Sequence, residues 1–350
     1  YSMRAIAEIF HSQGFYVLVP RLPGHGTTPS ALRHATWQDW MAVLKMSVRH
    51  VRDAVGDDRP FYLGGYSNGG ALVVKYTLES FVDSGLARPD RLFLFSPAIG
   101  ITRFAALASW HKLFSRIPYF RKFEWASIRP EYDPFKYNSF PKIAGHQTFT
   151  LGRAIQKQMD GLAGQLTEWP PTLTFQSLVD STVLTRSVVE QFYDKLPAPK
   201  NELVLYDVNR INRMQGFSPQ TKAEKGLAEI LSRRASHSSP YTLTVITNRR
   251  NDTLKAVART WRGTVKEPVV KPLRGRWPRD VYSLSHVAIP FPPDDPYYGD
   301  GRQASSTGIP PLGSLRPRGE RNTLTVPLQQ LMRLRHNPFF DDMAKRIVEF

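Results

Sequence analysis

The sequence predicts an α/β protein: a mostly parallel sheet with helices on both faces. Two observations carry this. Helical and strand-like segments alternate along the first hundred residues, the order that builds parallel sheets. The strand-like segments are also short and apolar, as expected of strands buried in a core. The length of 350 residues is enough for a large core with accessory segments. No window approaches the roughly 18 uninterrupted apolar residues of a membrane span.

The elements read in order. Met3, Ile6, Ala7 and Phe10 sit at helical spacing, and Gly14 suits the helix end. Tyr16 to Val19 reads as a short buried strand ending at Pro20, and the loop Arg21 to Thr27 follows. Trp37 to Val55 reads as a helix with Trp40, Leu44 and Val51 inward. Asp57 to Pro60 makes a turn, and Phe61 to Gly64 is the next strand. A helix from Gly69 to Val82 and a strand from Arg91 to Phe95 complete the alternation.

From about Ile101 to Gln165 the pattern changes to helical fragments rich in aromatics. It resumes with a strand at Thr172–Phe175, a helix from Thr182 to Leu196 and a strand at Glu202–Tyr206. A helix near Thr221–Ser232 and a strand at Tyr241–Thr247 follow, then proline-rich loops beyond His286 and a last helix from about Leu328. The expected organisation is a core of 1–99, 168–208 and 276–350, a cap over 100–167, and a basic insertion over 209–275.

Charge and cysteine content narrow the chemistry. There is no cysteine, which excludes disulfides, thiolate catalysis and cysteine-ligated metals. The net charge is +17, and it is concentrated. Between Arg210 and Asp280 there are 16 Lys/Arg against 5 Asp/Glu, a surplus of 11. Such a surplus suits either a solvated face or attraction to an anionic membrane. The arginine pairs lack interleaved aromatics, so no nucleic-acid partner is expected. Neither a phosphate-binding P-loop nor a dinucleotide fingerprint is present. Asp294-Asp295 is flanked by prolines and reads as a rigid loop rather than a metal site, and no cofactor is expected.

Gly65-Tyr66-Ser67-Asn68-Gly69 carries the chemistry. An apolar strand leads into it and an apolar helix leaves it. That context makes G-x-S-x-G a nucleophile elbow, a sharp turn that lifts the serine hydroxyl above the sheet. Gly65, Gly69 and Gly70 supply the room such a turn needs. Ser67 is the expected nucleophile, and the backbone N–H of Asn68 is aimed at the oxyanion that forms. A serine needs a base, and the base needs an orienting acid. Asp180 lies just past the strand Thr172–Phe175, at the strand end where open sheets place their sites. Asp207 ends the next strand and is the alternative acid. Of nine histidines, His286 is late in the chain and close to the last helix. His11, His34, His50, His111 and His336 fall on helical patterns, His25 and His146 precede Asp180, and His237 lies in a serine-rich loop.

Three segments, Pro23-Gly24-His25-Gly26, Gly65-Tyr66-Ser67-Asn68-Gly69 and Leu178-Val179-Asp180, resemble the monoglyceride-lipase and serine-aminopeptidase-like branch of the α/β-hydrolases. The resemblance spans Tyr1 to about Tyr206, then His286 and the last helix. It implies a Ser67–Asp180–His286 hydrolase with a cap after the strand Arg91–Phe95. The chain departs from the pattern in the 106 residues between Asp180 and His286, which the basic insertion accounts for. A strand and a His-Gly loop supplying the second oxyanion N–H are expected before Tyr1. The reading therefore expects a fragment, inactive or unstable without them.

The cap spaces Phe104, Leu107, Trp110, Phe114 and Ile117 at helical intervals, with Lys112, Arg116, Arg121 and Lys122 between them. This fits an amphipathic lid over an apolar acyl chain, or ordinary packing on the core. Tyr132 to Tyr137 reads as a fixed turn holding aromatics over the pocket. The expected substrate is an ester with an apolar acyl group. The cap and the basic insertion are the segments expected to meet an anionic membrane. An aminopeptidase, or a silent binding protein on the same fold, is the alternative.

Overall fold

The computed structural model describes residues 1–100, 124–197, 200–211, 220–236, 241–279, 281–300 and 335–350. The lid positions Phe104 to Lys122 and His237 lie outside the described residues.

Nine strands and seven helices are described. In chain order they are α1 (Arg4–Ser12), α2 (Trp37–Val55), β1 (Tyr62–Tyr66), α3 (Asn68–Glu79) and β2 (Arg91–Phe95). Next come β3 (Trp125–Ser127), β4 (Phe140–Pro141), α4 (Lys142–Gly161), β5 (Thr172–Ser177), α5 (Thr185–Gln191) and β6 (Glu202–Tyr206). The chain closes with α6 (Gln220–Ser236), β7 (Thr242–Asn248), β8 (Lys255–Trp261), β9 (Val269–Arg276) and α7 (Phe340–Glu349).

Seven strands form one sheet in the order β1-β2-β5-β6-β7-β8-β9. The first five run parallel, and β8 and β9 turn back antiparallel. Alternation along each strand assigns its residues to two cores. Leu92 and Leu94 of β2, with Leu203 and Leu205 of β6, pack under α2, α3, α4, α5 and α6. Phe93 and Phe95, with Val204 and Tyr206, pack on the other face against α1 and α7. Burial on both faces explains why these strands are continuously apolar.

α2 starts where its sequence says it should. Thr36 accepts from the Asp39 N–H while the Asp39 carboxylate accepts from the Thr36 N–H, a reciprocal cap contributing about 1 kcal/mol. α4, expected within the cap, packs on α3 and α2 and contributes Leu151, Ile155 and Met159 to the larger core.

Three expectations need correction. Tyr16 to Pro20 is not a strand: Tyr16 is 52% exposed and Val19 50%. Among the described residues no strand lies beside this segment, and burying unpaired N–H and C=O groups is costly, so it stays at the surface. Within 209–275, expected as an insertion, the described strands instead continue the sheet, with β7 parallel to β6 and β8 and β9 beyond it. His336, expected on a helix, lies buried in the loop just before α7.

Candidate active site

Ser67 sits between β1 and α3 with φ of 53° and ψ of −117°, a region non-glycine residues rarely occupy. Holding a serine there costs on the order of 1–3 kcal/mol. The surroundings fix it: the Ser67 N–H donates to the Phe95 carbonyl at 2.9 Å, and its carbonyl accepts from Ala71 N–H and Ala98 N–H. A methyl group on Gly65 would lie 2.4 Å from the Gly69 backbone, so only glycine fits. A methyl on Gly69 would meet nothing within 4 Å. The turn thus needs the close approach of Gly69's backbone, and not the absence of its side chain. Asn68 opens α3, where the first N–H groups of a helix have no intrahelical partner, so its N–H is free to serve an oxyanion.

His286 reaches this turn from the far side of the sheet sequence. Its loop is tied to the ends of β5 and β6. The Ser177 hydroxyl donates to the Leu284 carbonyl at 2.8 Å, Asn209 N–H donates to the Tyr282 carbonyl at 2.7 Å, and Val208 bridges Ser283. The result places His286 Nε2 3.0 Å from Ser67 Oγ and His286 Nδ1 2.9 Å from Asp180 Oδ2. An ionised carboxylate only accepts, so Nδ1 carries the proton and Nε2 is left to accept from the serine. His286 and Asp180 are both buried.

The acid is held on every side. Asp180 Oδ2 also accepts from Gln176 Nε2 at 3.0 Å, while Oδ1 accepts from Thr182 N–H at 2.8 Å and Val183 N–H at 3.0 Å. Asp207 is placed otherwise. Its carboxylate is paired with Arg210 at 2.8 Å and accepts from Thr247 Oγ1 at 2.7 Å. It therefore acts within β6 and β7, not at the histidine.

Reasoning from sequence missed Gln176, Ser177 and Asn209, which orient the acid and the histidine loop. Gln176 had one readable signal: it directly follows the strand Thr172–Phe175, four positions before Asp180. Lys136 was also missed. Its Nζ is buried and makes no hydrogen bond among the described residues. It lies 4.5 Å from the centre of the Phe291 ring, 4.8 Å from Tyr298 and 5.8 Å from Tyr66, and the Tyr66 ring is 5.3 Å from that of His286. Burial pulls its ammonium down to about 7.

The Lys136 turn is pinned as expected of a fixed element. Asp133 Oδ1 accepts from the N–H groups of Phe135 and Lys136, and the Tyr137 hydroxyl donates to the Gly24 carbonyl at 3.0 Å. Phe135 stacks on Tyr1 with ring centres 3.7 Å apart. Asp295 is likewise used by its own loop, accepting from Tyr297 N–H, Tyr298 N–H and the Tyr1 hydroxyl. A cavity of about 190 Å³ borders Asp180 and His286 on the side of Tyr282 and Ser283.

Residues 2–210 match the family model described as "Serine aminopeptidase, S33". The chain belongs to this serine aminopeptidase family. Its fold is accordingly an α/β-hydrolase, in agreement with the parallel sheet and its flanking helices. The serine aminopeptidase match covers the elbow and Asp180 but stops before His286.

One curated relative is a thermostable monoacylglycerol lipase from Bacillus sp. (strain H-257), 31% identical over 83 residues. That stretch is 24% of this chain and 32% of the lipase, so the chain spans about a third of that relative's length. Among solved structures, one reported with the metagenome-derived lipolytic enzymes LipS and LipT aligns at 22% identity and a TM-score of 0.43. It covers 66% of this chain and 88% of that one. The monoacylglycerol lipase of Paleococcus ferrophilus aligns at 17% identity and a TM-score of 0.40, over 66% and 87%.

Proposed function

We propose that this protein is a serine carboxylester hydrolase, with Ser67 as nucleophile, His286 as base and Asp180 as the acid that orients the base. The observation that carries this is the unbroken run of hydrogen bonds from Asp180 through His286 to Ser67, 2.9 and 3.0 Å long. Ser67 Oγ attacks the ester carbonyl as His286 Nε2 takes its proton, and the imidazolium is stabilised by Asp180. The carbonyl oxygen becomes an oxyanion near the Asn68 N–H. His286 then returns the proton to the leaving alcohol, and water repeats the cycle on the acyl-enzyme. No cofactor enters this sequence.

The substrate we propose is an ester with an apolar acyl group. The Tyr66 ring lies beside that of His286, the Phe291 and Tyr298 rings lie around Lys136, which also reaches Tyr66, and the curated relative is a monoacylglycerol lipase. An aminopeptidase would need a carboxylate free to hold the substrate's ammonium. The nearby Asp133 and Asp295 are engaged by Tyr298, Tyr1 and backbone N–H groups, and Lys136 lies among the same rings. A fluorophosphonate probe tests the chemistry. It should label the protein at Ser67, and Ser67→Ala should abolish labelling. Absence of labelling would leave a binding protein on a hydrolase fold. A series of p-nitrophenyl esters of rising length then reads the acyl preference.

A further inference from the structure

The last two strands of the sheet form a basic surface that the chemistry at Ser67 does not use. From Lys255 to Asp280 the sequence holds eight basic residues against two acidic ones, Glu267 and Asp280. All eight, Lys255, Arg259, Arg262, Lys266, Lys271, Arg274, Arg276 and Arg279, are exposed. None forms an ion pair among the described residues. The arrangement opposes itself. Lys255 and Arg276 are register partners across β8 and β9, and like charges directly opposite each other destabilise a sheet. Arg259 shares a face with Lys255, four residues along β8, and its partner is the exposed Val270.

Protection of an open edge is one use for such residues, since among the described residues β9 has a neighbour on one side only. A lysine and a proline suffice for that, and Lys271 and Pro272 supply them. The remaining charge needs another reason. β9 spans about 26 Å at roughly 3.3 Å per residue, so the charge is spread along a strip and not gathered in a pocket. Val265, Val269 and Val270 lie exposed within it. The two tryptophans of the segment, Trp261 and Trp277, are buried, so no aromatic platform is offered for bases to stack on.

We infer that the β8–β9 edge docks on an anionic phospholipid surface. Basic side chains meet the headgroups, and the valines contact the acyl boundary. The geometry places this surface usefully. β7 runs parallel to β6, so its C-terminal end lies at the same rim as the ends of β1 and β5, where Ser67 and Asp180 are. Arg249, Arg250, Lys255, Arg276 and Arg279 cluster around that end of the hairpin. Docking along the edge would therefore set the rim beside the lipid. This inference stands whatever the reaction at Ser67 is.

The test is co-sedimentation of the protein with vesicles of phosphatidylcholine alone and of phosphatidylcholine with about a third phosphatidylserine. Binding should require phosphatidylserine and weaken as salt is raised. Replacing four exposed cations together, Lys255→Gln, Arg259→Gln, Arg276→Gln and Arg279→Gln, should weaken partitioning about fivefold per residue. The urea midpoint should be retained or rise, since the opposed Lys255 and Arg276 charges are removed, and hydrolysis of a soluble ester should be retained. Equal binding to neutral vesicles, or unchanged binding by the quadruple variant, would overturn the inference. So would an oligonucleotide bound more tightly than the anionic vesicles, which would make this a nucleic-acid surface.

Discussion

Asp180 Oδ2 and His286 Nδ1 are 2.9 Å apart, although 106 residues separate them in the chain. Two backbone N–H groups, from Thr182 and Val183, hold the other carboxylate oxygen. The acid is thus fixed by its own loop before the histidine arrives, and the histidine takes its tautomer from the acid. Asp207 has no part in this.

The two acids should separate cleanly on mutation. Asp180→Asn should lower kcat for a soluble ester by about 10⁴-fold while leaving the fold intact, because the amide no longer selects the tautomer that accepts from serine. Asp207→Asn should leave kcat near wild type but destabilise the protein by about 1–3 kcal/mol, since Arg210 loses one of its two carboxylate partners and keeps Glu224. Steady-state kinetics with urea unfolding reads both. Equal loss of kcat in the two variants would refute the assignment.

Removing the nucleophile or its base should cost about the same. Ser67→Ala and His286→Ala should each lower kcat by roughly 10⁴–10⁶-fold, and the double variant should be no worse than either alone, because the residues act as one unit. Additive losses in the double variant would mean that the 3.0 Å contact between them is not used in the reaction.

The elbow glycines should not respond alike. Gly65→Ala puts a methyl 2.4 Å from backbone atoms of Gly69 that cannot yield, and should cost about 3 kcal/mol or more. Gly69→Ala has open space at the start of a helix and should change stability by about 1 kcal/mol or less. Thermal unfolding of the two variants decides it.

Lys136 should make stability depend on pH above neutrality. Unfolded, a lysine keeps its proton to about 10.5; folded, Lys136 releases it near 7. Between those values the unfolded chain binds more protons, so stability rises with pH through this window and this residue's penalty is greatest below it. Lys136→Met should raise the urea midpoint at about pH 6 and flatten the rise towards about pH 9. An unchanged slope would show that Lys136 keeps its proton in the folded protein.

Much of this was legible in the sequence where the physics is local. The elbow is a strand, a strained serine and a helix within a few residues, and each leaves a mark in composition. Asp180 was readable from its place just past the C-terminal end of the strand Thr172–Phe175. His286 emerged by chain order among nine histidines. What failed depends on distant neighbours. Tyr16 to Val19 has the apolar run of a strand but no partner beside it among the described residues. The strand Thr242–Asn248 was visible, yet its membership of the central sheet depends on β6. Lys136 carries no mark of its own within the turn Tyr132–Tyr137, and only the packing of that turn against Tyr66, Phe291 and Tyr298 buries its nitrogen.

The long detour between the proposed nucleophile and its base sets an order of assembly. Ser67 is synthesised 219 residues before His286, and β7, β8 and β9 are made in between. At 5–20 residues per second, a ribosome-bound chain carries its serine for roughly 10–40 s with no imidazole to ionise it. On the proposed mechanism the emerging polypeptide is chemically inert through that interval, and reactivity arrives only once His286 has been placed beside Ser67.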